Sequence, residues 1–192
     1  MTRRYAPLLL AALVSALSLG SGLAQDAGTP TPDLTTDLFD PAVVEATPIS
    51  GVETFTVESA AHTEDPVTYP RNPPAGGPHA PAWQKCEAYD APIRNENAVH
   101  SLEHGAVWVT YTADISKSDK QKLENWAKDR PYLIVSEYDD QETPFVFTAW
   151  NNQLPLDSLD DKRATQFMNY FIQGAQTPER GASCTGVDTM LG

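Results

Sequence analysis

Ala98-Val99-His100-Ser101-Leu102-Glu103-His104-Gly105-Ala106-Val107-Trp108-Val109-Thr110-Tyr111 changes character partway along. Ala98 to Glu103 reads as a short helix. Ala106 to Tyr111, dense in β-branched and aromatic residues, reads as a strong β run. Gly105 lies between them and frees the chain to turn directly from helix into strand. A helix end is thereby set against a sheet, and two histidines stand at that end.

Upstream, Glu53-Thr54-Phe55-Thr56-Val57 alternates as a short strand does, so the folded domain is expected to begin near Val52. The stretch Tyr69-Pro70-Arg71-Asn72-Pro73-Pro74-Ala75-Gly76-Gly77-Pro78-His79 cannot be a helix or an inner strand, because proline lacks a backbone donor and glycine frees the backbone angles. Trp83 and Tyr89 close by favour an ordered loop packed on the core. Downstream, Ser116 or Ser118 can cap a helix over Asp119 to Lys128 whose apolar stripe is Leu123, Trp126 and Ala127, and Pro131 stops it. Tyr132 to Tyr138 and Phe145 to Trp150 read as strands separated by an acidic turn. A last helix is expected from Asp160 to Gln173, with Phe167, Tyr170 and Phe171 inward and Gly174 ending it. The order β, short α, β, α, β, β, α predicts an α+β fold: a small, mainly antiparallel sheet packed with two helices, beside a long ordered Pro/Gly loop.

The N-terminal Met1-Thr2-Arg3-Arg4-Tyr5 is basic and Ala6 to Leu19 is apolar, with small residues up to Ala24. This is the pattern of a secretory signal peptide over 1–24, cleaved near Ala24 and too short for a membrane anchor of roughly 20 apolar residues. Residues 25–51, rich in Thr, Pro and Asp, read as a linker or arm that could dock the domain onto a larger cell-envelope assembly. The domain proper is then 52–192, exported to a periplasm or cell envelope. Loss of the signal removes two of 13 basic residues and none of 26 acidic ones, taking the net charge from −13 to −15. Such a chain repels nucleic acid and anionic lipid. Cys86 and Cys184, the only cysteines, are expected to pair in an oxidising compartment. The chain-entropy model gives roughly 4 to 5 kcal/mol for so long a loop, and the link would restrain the His79 segment.

All four histidines lie between His62 and His104. His100 and His104, at i and i+4, share one face of a helical turn and can reach one metal ion. His79, on the stiff loop, is the third expected ligand. His62, in the polar run His62-Thr63-Glu64-Asp65, reads as an exposed residue instead. Three imidazoles suit copper or zinc, and a thioether would favour copper. Met168, on the last helix, is the expected fourth ligand, with core packing as its ordinary alternative; Met190 is a poorer one. Glu103 is expected to orient a ligand imidazole from outside the coordination sphere.

The run from Tyr69 to Trp83, with Cys86 and Tyr89, and then Glu96-Asn97-Ala98-Val99-His100-Ser101-Leu102-Glu103-His104-Gly105-Ala106-Val107-Trp108, resembles a bacterial exported family labelled only as a domain of unknown function. The resemblance spans about 55 to 185, and His-Ser-Leu-Glu-His-Gly is its specific segment. It implies an extracytoplasmic, copper-binding domain. Where family members carry Cys-Gly, this chain has Cys86-Glu87.

The expected function is that of a copper redox protein, most concretely one dismuting superoxide at a mononuclear copper on His79, His100 and His104. The acidic surface works against an anionic substrate, and Arg71, Lys85 or Arg94 would have to steer it locally. Copper storage or delivery and a structural envelope role are the alternatives. A further one comes from His100-x-x-Glu103-His104, which matches the zinc-peptidase pattern H-x-x-E-H with Glu179 as third ligand, although Gly105 ends that helix at once.

Overall fold

The computed structural model describes residues 49–185. The segment expected to be a signal peptide, most of the expected arm and Met190 lie outside the described residues. The elements are β1 (Glu53–Thr54), α1 (Asn95–Glu103), β2 (Val107–Tyr111), α2 (Lys117–Asp129), β3 (Leu133–Glu137), β4 (Phe145–Ala149), β5 (Asn152–Leu156) and α3 (Lys162–Phe171). They form a five-stranded sheet in the order β1-β5-β4-β2-β3. Only β2 and β3 run parallel, joined across α2; the other three pairings are antiparallel. This is the expected α+β fold with a mainly antiparallel sheet, packed with three helices where two were expected.

Strand β5 is the element that the sequence reading lacks. Asn152-Gln153-Leu154-Pro155-Leu156 contains a proline, which ordinarily argues against a strand. Pro155 sits opposite Val146 of β4, and β1 covers only Asn152 and Gln153 on the other side of β5. The missing N–H therefore falls on a stretch with no second described strand to receive it.

Alternation divides the strand residues between two cores. Val107, Val109, Leu133, Val135, Phe147 and Leu154 join Leu123 of α2 and Phe167, Met168 and Phe171 of α3 on one face. Trp108, Ile134 and Trp150 join Ala98, Val99 and Leu102 of α1 on the other. Ser116 caps α2, its hydroxyl accepting from the Asp119 amide at 3.0 Å. Helix α1 has no such side-chain cap and is buried along almost its whole length, so packing rather than local chemistry holds it.

The Pro/Gly loop is ordered because it is fastened to α1. The amides of Ala80 and Gln84 donate to the carbonyls of Glu96 and Asn97, the Asn97 side chain donates to Ala82 O, and the Ser101 hydroxyl donates to Gln84 O. Cys86 and Cys184 form the expected disulfide, and the Cys86 amide also donates to the Cys184 carbonyl at 2.8 Å. Among the described residues no helix is long and apolar enough to cross a membrane.

Candidate metal centre

Three elements converge on the inner end of α1. Helix α1 supplies His100 and Glu103, and its C-cap is His104; the loop supplies His79; the segment before the disulfide supplies Glu179. His79, His100, Glu103 and His104 are all at most 4% exposed. Gly105 makes the exit from α1 possible: at φ 93° it occupies a conformation that side chains resist, and a Cβ there would run into Gln173 and Thr177. Gln173 Nε2 in turn donates to the His104 carbonyl, tying this corner to the end of α3.

Each of the three buried imidazoles has its Nδ1 against a backbone carbonyl: His79 on Gly77 at 2.8 Å, His100 on Ala80 at 2.7 Å and His104 on Ser183 at 2.6 Å. A carbonyl can only accept, so every Nδ1 carries the proton and every Nε2 of a neutral ring is left with a bare lone pair. Gly77, at φ 124°, turns its carbonyl back beneath the ring two residues on. The three Nε2 atoms face into the cluster. His100 Nε2 and His104 Nε2 lie 2.9 Å apart, and His79 Nε2 lies 2.9 Å from Glu103 Oε2. Both are contacts between acceptors, which only a proton or a cation can reconcile. Burial pushes His100 down to about 4; the Ala80 carbonyl pulls upward, while His104, His79 and His62 add to the depression. A second proton on His100 is thus disfavoured at neutral pH, and a metal ion is the cation that these donors fit.

The structure places the expected residues as follows. His62 belongs to the cluster: its backbone forms a parallel bridge with His79, its ring stacks on His100 with centroids 4.8 Å apart, and its Nε2 lies 3.7 Å from Glu103 Oε2. Its side chain is 47% exposed, so the polar run around it shows correctly that it reaches water and hides that it also reaches the site. The signal that could have found it is the confinement of all four histidines to one short stretch. Glu103 meets the Nε2 of His79, so it stands with the donors, and the backbone carbonyls do the orienting. Glu179 Oε2 lies 3.4 Å from His104 Nε2, and its amide donates to the Glu103 carbonyl. Met168 is not brought to the histidines: it is fully buried in the core on the other face of the sheet, with Phe167 and Phe171.

The donors fall into two groups, His62, His79, His100 and Glu103 in one and His100, His104 and Glu179 in the other, each with its ligand atoms within 4.8 Å of one another. His79 and His104 are in different groups, joined through His100. The disulfide acts on the second group, because Ser183, whose carbonyl orients His104, precedes Cys184.

These features define an α+β domain whose helix end, fastened loop and disulfide-bound tail enclose a buried histidine–carboxylate cluster able to hold a metal ion. The family model described as "Protein of unknown function (DUF3105)" matches residues 61–186, and the chain belongs to that family. No curated protein and no solved structure matches the chain.

Proposed function

We propose that this is an exported copper protein that carries out one-electron chemistry on a small substrate, most concretely the dismutation of superoxide. The observation that carries the reading is the set of three buried imidazoles, each locked by a backbone carbonyl so that its Nε2 lone pair points inward. Copper bound there would supply a Cu(II)/Cu(I) couple. The donor set, imidazole and carboxylate without thioether, suits Cu(II) and does not by itself reject zinc. His79 and His100 would hold and bury the ion, Glu103 would offset its charge, and the exposed flanks at His62 and Glu179 would admit a molecule as small as superoxide.

The cations expected to steer the anion are otherwise engaged. Lys85 pairs with Glu87 at 2.7 Å, Arg94 pairs with Glu96 at 3.1 Å, and Arg71 lies over the Phe55 ring and donates to Gln153. The test is dismutation by copper-loaded protein against equal free copper. Activity above that control, lost in His100→Ala, supports the proposal; activity no greater than free copper sinks it and leaves copper storage or delivery.

One observation favours a second reading. His100, His104 and Glu179 group as the three ligands of an H-x-x-E-H zinc hydrolase would. Glu103, which would have to activate water there, is 2.9 Å from His79 and falls in the other group, which argues against hydrolysis. Peptidase activity in zinc-loaded protein, abolished by Glu103→Gln, would establish it.

A further inference from the structure

Six side chains surround the cluster, yet they do not form one ligand set. We propose, resting on the metal reading above, that the cluster offers a single ion two alternative sets that pivot on His100: His62, His79 and Glu103 on one side, His104 and Glu179 on the other.

His100 belongs to both groups, and its Nδ1 is committed to the Ala80 carbonyl at 2.7 Å, so only Nε2 remains to coordinate. One lone pair serves one ion, and the two sets therefore exclude each other. Bonds of about 2.1 Å keep the donors of one ion within roughly 4.2 Å of each other. Each group, spread over no more than 4.8 Å, closes on an ion with small side-chain shifts, whereas the six donors together do not meet even the wider span.

Exposure gives the arrangement two open ends. The shared and inner donors are buried, while each set ends in a side chain that reaches water, His62 at 47% and Glu179 at 52% exposed. Both ends are anchored by backbone bonds that do not use the side chain: Thr63 and His79 donate to the carbonyls of His79 and Ala61, and Glu179 donates to Glu103. An ion can arrive on one flank and leave by the other without ever losing His100. The sets also differ in kind, with three imidazoles and a carboxylate against two imidazoles and a carboxylate, so they give distinguishable Cu(II) spectra.

The test is titration of the whole exported chain with Cu(II), read by bound stoichiometry and by electron paramagnetic resonance. The wild type should bind one equivalent and show two overlapping signals. His104→Ala/Glu179→Ala should keep one equivalent with a three-nitrogen pattern, and His62→Ala/His79→Ala one equivalent with a two-nitrogen pattern. His100→Ala should weaken binding at least tenfold. Because His79→Ala opens a buried position, the exposed single variants His62→Ala and Glu179→Ala provide a check that spares the core: they should shift the two signals in opposite proportions. One wild-type signal, unmoved by either single variant, overturns the proposal, as do two bound equivalents. Absence of binding in the wild type overturns the metal reading itself.

Discussion

His100 is the one residue shared by both donor groups, and its environment makes a definite pH prediction. Burial holds its imidazole near 4 in the folded chain, whereas the unfolded chain binds that proton near the ordinary histidine value of about 6.5. Between those two values the unfolded state carries more protons, so the metal-free protein should lose stability as pH falls from about 6.5 to about 4. Denaturant melts of metal-free protein at several pH values check this, and His100→Phe should flatten that slope. Glu103 makes a second prediction. Glu103→Gln preserves size but replaces the charge beside His79, and metal affinity measured by competition with a chelator should fall about 10- to 100-fold. At this scale the sequence was legible where spacing is local: His100 and His104 at i and i+4 on one turn, with His79 on a stiff loop. His62 was not legible, because its membership depends on a bridge to His79 that no local pattern encodes. Met168 takes the core position that was the alternative to its role as a ligand, because a helix pattern says that a residue is buried without saying in which of two cores.

The turn from α1 into β2 and the disulfide-bound tail are the elements that set the site's shape. Gly105 holds a φ of 93° against Gln173 and Thr177, so Gly105→Ala combines backbone strain with a clash. It should destabilise the fold by about 1 to 3 kcal/mol in a denaturant melt. Cys86→Ser/Cys184→Ser should cost about 2 to 5 kcal/mol of stability. It should also weaken metal binding, because the Ser183 carbonyl that orients His104 is held by this link; chelator competition on folded variant separates the two effects. The helix-to-strand switch at Gly105 was plain in the sequence and the cap was narrowed to Ser116 or Ser118, since glycine and serine signal through local backbone chemistry; the structure selects Ser116. Strand β5 was not, because Pro155 is tolerated only by its place beyond the reach of β1.

At the scale of the whole molecule, charge is the dominant property. A net charge of −13, with Lys85 and Arg94 each paired to a carboxylate, would set the proposed anionic substrate against a repulsive field. Salt screens such a field, so the dismutation rate of copper-loaded protein should rise with ionic strength, the reverse of a positively steered enzyme. Stopped-flow rates at several salt concentrations decide it, and a rate that falls with salt would mean local steering that the pairing of these cations does not provide. The fold class was legible because element order restricts the packing. Which face of the sheet receives α1 and the loop was not, since that follows from alternation along strands whose pairing is set only by the assembled sheet.

The most direct measurement is the metal content of the protein purified without added metal, beside a His100→Ala/His104→Ala variant. Stoichiometric copper in the wild type, absent from a variant that still folds, is the predicted result; protein that carries no metal and gains none on titration would contradict the account.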